Sequence, residues 1–284
     1  MDVEKIQEQK SIKKLLEFSI INIDKPSGPT SFATDMIVKQ ALNLKKTSHF
    51  GTLDPKVTGV LPIALSRACK LMNYFIIKNK TYVGVMRLHE KVDEKKLKQE
   101  IKNFIGEITQ MPPVKSRVKR QERKRKIYNF EILEIEGQNI LFKTEVQAGT
   151  YIRKLIHDLG EKIGGAHMLE LRRTQASIFE EKNSVDVYTF LDAVEKYKKG
   201  DETKLRKILI PGEIISKVLP VVQVKKEYVS KLQHGSPLFK EHLAQEHKLN
   251  EKVCVFHNQT FIGVFNTIKD KQILAKPEFV MQPI

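Results

Sequence analysis

The chain has 284 residues, enough for one large or two smaller domains with a packed core. With 50 Lys and Arg against 34 Asp and Glu its formal net charge is +16, which favours a polyanionic partner such as RNA, DNA or an anionic membrane surface. No apolar run approaches the ~20 residues of a spanning helix, the first residues lack the form of a signal peptide, and the two cysteines, Cys69 and Cys254, stand far apart in apolar segments, so a soluble cytoplasmic protein without disulfides is expected.

In chain order, residues 19–24 form an apolar strand running into a Pro26-Ser27-Gly28-Pro29 loop. Ser31 is expected to N-cap a helix through about Leu44, with Phe32, Met36, Ile37, Ala41 and Leu44 on its apolar face. A Gly- and Pro-punctuated loop around Asp54 follows, then strands over 60–65 and 81–87. Asp93 caps a second helix whose inward face is Leu97, Ile101, Phe104 and Ile105, closed by Gly106. Residues 127–135 and 139–147 alternate as paired strands around Glu136-Gly137. A helix carrying Ile152, Leu155, Ile156, Leu159 and Ile163 ends at Gly164-Gly165, and 168–179 is extended again. From about 180 to 210 the chain is charged and helical, with an exposed turn at 198–202. Beyond Pro211-Gly212 short strands take over, and Val253–Phe256 and Phe261–Phe265 frame a hairpin at His257-Asn258-Gln259. The sum is an α+β fold with a mixed sheet and a small C-terminal β-structure.

Asp54 is the residue to which chemistry points. It sits in His49-Phe50-Gly51-Thr52-Leu53-Asp54-Pro55-Lys56-Val57-Thr58-Gly59, followed by an apolar run from Val60. A carboxylate on a tight loop is how enzymes present a nucleophile or general base, although an Asp that only caps its own turn looks the same locally. The wider pattern decides. This string resembles the catalytic motif of the TruB and dyskerin family of RNA pseudouridine synthases. Four more stretches resemble the same family in the same order: Asn22 to Ser31 its Lys-Pro motif, Lys80-Thr81-Tyr82 its tyrosine motif, Ala148 to Arg153 its arginine motif and Leu171-Arg172-Arg173-Thr174 its closing motif.

The resemblance implies isomerisation of uridine to pseudouridine in RNA, with no cofactor and no metal. It makes Asp54 the catalytic carboxylate and Arg153 its ionic partner. Tyr82 stacks on the extruded uracil, Leu171 walls the base pocket, His49 contacts RNA near the vacated base position and Lys25 shapes the loop beside the site. Residues 115–126 hold eight basic residues opposed only by Glu122, and Lys115, Arg117, Lys119, Arg120, Arg123 and Lys124 read as a clamp on RNA phosphates. Ser177 stands where the closing motif usually has glycine.

Pro112 to Gln121, Arg87-Leu88-His89 and Gly164 to Met168 resemble the dyskerin branch in its archaeal form, where the thumb loop is short and a guide RNA selects the target. That implies an H/ACA guide RNA, rRNA and tRNA as RNA partners, and Nop-type, Gar-type and L-seven-type proteins beside them, with no membrane. A guide-independent tRNA TΨC-loop synthase is the alternative enzyme, and a non-catalytic ribosome-assembly scaffold the alternative of another class. With Leu219-Pro220-Val221 and His234-Gly235-Ser236-Pro237, the C-terminal end resembles a PUA domain, a small RNA-binding β-barrel. The resemblance implies an N-terminal extension over 1–18 packing on the C-terminal domain, a catalytic domain over 19–212 and a PUA domain over 213–284.

Overall fold

Residues Lys80–Leu88 alternate between buried and more exposed side chains, the period of a strand with one packed face, and they form the centre of the main sheet. The computed structural model describes residues 1–112, 119–245, 249, 251–270 and 272–283. These fall into two compact units, Ile21–Ile208 and Met1–Ile20 with Leu209–Ile284.

The strands of the larger unit are β1 (Ser19–Lys25, from Ile21 onward), β2 (Thr47–His49), β3 (Thr58–Leu65), β4 (Lys80–Leu88), β5 (Gly106–Gln110), β6 (Arg123–Glu136), β7 (Asn139–Val146), β8 (Ala166–Ala176), β9 (Phe179–Glu180) and β10 (Val185–Asp186). They pair in the order β10-β1-β3-β8-β4-β7-β6-β5, with β2 on β3 and β9 on β8. The pairs β1–β10 and β3–β8 are parallel while β4 pairs antiparallel with both β7 and β8, so the sheet is mixed, as expected. Helices Glu94–Asn103 and Ile152–Ile163 cover one face of it, placing Leu97, Ile101, Leu155, Ile156, Leu159 and Ile163 in one core with Tyr82, Met86 and Phe142. Asp93 caps the first of these helices through Lys96 N–H, but Ile105 lies beyond its end and is exposed.

One helix departs from its sequence reading. Ser31–Ala41 is capped by Thr30, whose Oγ1 accepts from Ala33 N–H, and it stops before Leu44. Its buried face is Ser31, Thr34, Asp35 and Val38, while Phe32 is 66% exposed. The apolar stripe was the wrong one to bury, because the buried face meets polar groups: Ser31 bonds the Leu53 backbone and Asp35 faces the His49 imidazole.

The smaller unit contains β11 (Ile210–Pro211), which pairs with Ser19 and Ile20, and a five-stranded sheet. Its strands are β12 (Val221–Gln223), β13 (Leu238–Phe239), β14 (Lys252–His257), β15 (Thr260–Thr267) and β16 (Ile273–Val280), in the order β12-β14-β15-β16-β13. The N-terminal residues are part of this unit: Phe18 stacks on Phe261 at 5.4 Å, and the Lys10 ammonium reaches the buried Glu213 carboxylate at 2.5 Å. Cys69 and Cys254 are both free and buried. Among the described residues no helix is long and apolar enough to cross a membrane.

Candidate active site

Asp54 sits on the loop that joins β2 to β3. Val57 N–H closes a turn onto the Asp54 carbonyl at 3.0 Å. Leu53 and Val57 on either side are buried, which leaves the Asp54 carboxylate, 49% exposed, pointing out. Arg153 meets it there, with Nη2 2.8 Å from Asp54 Oδ2. Arg153 is the second residue of helix Ile152–Ile163 and faces out while Ile152, Leu155 and Ile156 anchor the helix below. The start of that helix is fixed by the buried Gln110, which accepts from Tyr151 N–H at 3.0 Å and donates to the Tyr151 carbonyl at 3.2 Å.

Three buried groups hold the Asp54 loop from behind. The Lys25 ammonium, fully buried, donates to the carbonyls of Pro26 at 2.7 Å and Pro55 at 3.0 Å, tying the loop after β1 to the residue after Asp54. Burial pushes Lys25 below its ordinary pKa, and the negative charge of Asp54 partly opposes that. The Ser31 hydroxyl accepts from Leu53 N–H at 2.7 Å and donates to the Leu53 carbonyl at 3.1 Å. Arg173, 1% exposed, donates through Nε to the Val60 carbonyl at 2.8 Å and through Nη2 to the Gly51 carbonyl at 3.0 Å, so it grips the loop on both sides of Asp54. Gly59 makes this approach possible. Its φ is +101°, and a Cβ there would stand 2.2 Å from the Arg173 carbonyl oxygen.

Tyr82 on β4 and Leu171 on β8 lie on paired strands and share one buried cluster with Leu53 and Val57. Gly84, opposite Leu171, has no side chain, so Leu171 and Phe142 close over it. His49 places Nδ1 3.5 Å from Asp35 Oδ2 and Nε2 3.4 Å from Thr52 Oγ1. The structure therefore gathers Asp54, Arg153, Tyr82, Leu171, His49 and Lys25 around one loop, with Lys25 acting on backbone rather than facing solvent.

Of the basic run, Lys115 and Arg117, with most of the stretch read as a short thumb loop, lie outside the described residues. Lys119 and Arg120 are exposed, and Arg123 and Lys124 open β6. Lys124 pairs with Glu107 at 2.8 Å on the neighbouring strand. Arg125, on the same side of β6 as Arg123, lies against Gly149 in the loop that leads to Arg153. Among the described residues no three metal-ligating side chains cluster.

Residues 39–152 match the family profile of the N-terminal domain of TruB family pseudouridylate synthases, and residues 153–216 that of the C-terminal domain of tRNA pseudouridylate synthase B. The probable tRNA pseudouridine synthase B of Methanopyrus kandleri is 46% identical over 233 residues, covering 81% of this chain and 69% of that protein. The chain belongs to the TruB family of pseudouridine synthases. The relative of the same name from Methanocaldococcus jannaschii is 44% identical over 84% of this chain and 71% of its own. Among solved structures, a chain of a Cbf5–Nop10–Gar1 complex superposes with a TM-score of 0.89 at 38% identity, covering 97% of this chain and 89% of that one. A chain of an H/ACA RNP bound to a substrate RNA containing 2′-deoxyuridine gives 0.88 at 37% identity, over 98% and 89%.

Sequence reasoning missed two features of this TruB-family site. Ser31 was read as a helix cap and is instead the clasp on Leu53. Arg173 was read only as part of a motif and is the grip on Gly51 and Val60. The signal for Arg173 was present: on a strand it lies two residues from the inward Leu171 and so shares its face, whereas Arg172 turns outward to Asp24 at 2.8 Å and Glu181 at 2.8 Å.

Proposed function

We propose that this pseudouridine synthase is the catalytic subunit of a guide-directed H/ACA ribonucleoprotein that isomerises uridines in rRNA, and in tRNA as well, in the cytoplasm. The observation that carries the assignment of the site is the 2.8 Å Arg153–Asp54 pair over the wall containing Tyr82 and Leu171. The reaction breaks the bond from ribose C1′ to uracil N1 and forms one from C1′ to C5. N1 gains a proton and C5 loses one, so the base composition is unchanged and no electron acceptor takes part. The target base leaves its stack to reach the protein, as in other enzymes that act on a base.

Asp54 supplies the carboxylate that initiates cleavage, either by bonding to the substrate or by taking a ribose proton. Arg153 orients it through a charge-assisted hydrogen bond. Tyr82 stacks on the extruded uracil, and its hydroxyl assists removal of the C5 proton. Leu171 completes the apolar wall, and His49 contacts RNA near the vacated base position. Lys25 acts by fixing the loop. Lys119, Arg120, Arg123 and Lys124, with Lys115 and Arg117, bind phosphates and set position rather than sequence. The five-stranded unit serves as the PUA-type anchor for the guide. The similarity to chains from a Cbf5–Nop10–Gar1 complex and from an H/ACA RNP supports Nop-type and Gar-type partners. An L-seven-type protein on the guide completes the proposed assembly.

A second reading, guide-independent modification of the tRNA TΨC loop, is favoured by the names of the curated relatives. Tritium release from RNA labelled at uridine C5 separates the two. With a matching guide and partner proteins, release from non-tRNA targets is expected only when the guide is present. Efficient release from such targets by the purified chain alone refutes guide dependence.

A further inference from the structure

Asp35 is an unusual residue to find buried. It is 6% exposed, its Oδ1 has no hydrogen-bond partner among the described residues, and its Oδ2 has His49 Nδ1 at 3.5 Å. A carboxylate is taken out of water only where something compensates it. Cys69 and Lys46 lie within electrostatic reach: the charges of both Lys46 and Asp35 act on the Cys69 thiol, which burial pushes up to about 11. Asp35 also lies one helical turn after Ser31 on the same buried face. Ser31 clasps Leu53 and Asp35 reaches His49, so one polar helix face addresses both ends of the segment that leads into Asp54.

We propose that Asp35 is a positioning residue for His49, accepting its Nδ1–H and so turning Nε2, beside the exposed Thr52 hydroxyl, toward the RNA. The imidazole sets one nitrogen against the buried Asp35 and the other against the exposed Thr52. Its side chain is 20% exposed, against 9% for that of Asp35. A carboxylate on Nδ1 fixes both the ring orientation and the tautomer, leaving Nε2 with one defined role at the RNA surface. Asp35 touches no substrate. It acts through His49, and the inference rests on His49 being an RNA contact.

The test is a double-mutant cycle with an NMR readout. Long-range nitrogen–proton spectra of the full chain should show His49 carrying its proton on Nδ1, and Asp35→Ala should move it toward Nε2. Asp35→Ala should raise the KM for RNA about tenfold with a smaller change in kcat, and it should add nothing in a His49→Ala background. Asp35→Asn, whose amide oxygen still accepts from Nδ1–H, should retain most of the wild-type KM. Additive effects of Asp35→Ala and His49→Ala overturn the proposal while leaving His49 as an RNA contact. A wild-type KM for His49→Ala overturns that contact and the proposal with it. If Asp35→Ala does not fold, the wild-type spectrum and Asp35→Asn decide: an Nε2–H tautomer in the wild type, or an Asp35→Asn defect as large as that of His49→Ala, overturns it.

Discussion

Lys80 is 5% exposed, and its ammonium donates to the carbonyls of Ile76 at 2.5 Å and Lys78 at 2.6 Å. Burial, together with the positive charge of Arg173, pushes its pKa from the ordinary 10.5 down to about 8. That difference corresponds to about 3 kcal/mol of folding free energy. The folded-state value is the lower one, so between about pH 8 and 10.5 the unfolded chain binds more protons than the folded one. The penalty is therefore complete below about pH 8 and is relieved as the pH climbs to about 10.5. Lys80→Met removes the titration but leaves the two carbonyls unpaired, an almost pH-independent loss. Denaturant unfolding of both proteins from ~pH 7.5 to ~pH 10.5 should then show wild-type stability gaining about 3 kcal/mol relative to the variant. The thiols of Cys69 and Cys254, pushed up to about 11 and about 12, act in the opposite sense above ~pH 9, but both proteins carry them and they cancel in the difference. A stability difference that stays flat across this range refutes the reasoning and means that Lys80 holds its proton in the folded state as it does in water.

Asp54→Asn keeps the shape of the side chain, so turnover should fall below detection while RNA binding persists, as read by tritium release and filter binding. The Arg153–Asp54 pair is about half exposed and contributes little to folding, at most ~1 kcal/mol. Arg153→Lys should thus leave the melting curve in place while cutting turnover at least ~10-fold, because lysine lacks the planar fork, and a near-wild-type rate would remove Arg153 from the site. Gly59→Ala combines a φ of +101° with a Cβ 2.2 Å from the Arg173 carbonyl oxygen, and should lose about 3 kcal/mol or more in denaturant unfolding. Ser177 holds a φ of +58°, and its flanking hydrogen bonds, to Asn79 and from Gln175, use only its backbone, so Ser177→Gly should gain roughly 1 kcal/mol and a higher Tm. Neutralising Lys119, Arg120, Arg123 and Lys124 together should weaken RNA binding and flatten its salt dependence, and an unchanged slope would move the phosphate track elsewhere.

Much of this was legible because it depends on periodicity. The helix Ile152–Ile163 buries the five apolar residues its spacing selects, and β6 and β7 turn where Glu136-Gly137 said they would. The residues proposed for the site stand in motifs whose spacing hydropathy does not set, and the structure brings Asp54 and Arg153 together over the cluster containing Tyr82 and Leu171. What failed was the helix after Thr30, where hydropathy chose Phe32 and Met36 and the fold chose Ser31 and Asp35. A hydrophobic stripe identifies the buried face only when the surface beneath it is apolar. Here part of that surface is polar: the Leu53 peptide groups, which bond to Ser31, and the His49 imidazole, which faces Asp35. Ser177 was noticed as a departure from the family pattern, but only the dihedral angle shows that it keeps a glycine-like conformation without being glycine.

The distribution of buried polar groups explains how a half-exposed ion pair can sit at the centre of the proposed chemistry. Lys25, Ser31 and Arg173 are all buried, and between them they bond to the backbone of Gly51, Leu53, Pro55 and Val60. Gln110 does the same for Tyr151 beneath Arg153. None of these bonds goes to the Asp54 carboxylate or the Arg153 guanidinium. Rigidity is thus invested in the main chain that carries the two charges, where desolvated donors are strongest. The charges themselves meet near water, where their attraction is weak enough for a substrate group to replace one partner. A carboxylate tied down by buried hydrogen bonds would be equally well placed but would have to break them to react. The frame is fixed and the pair is exchangeable, which suits the proposed role of Asp54 as a nucleophile or base that releases Arg153 to engage a ribose or a base.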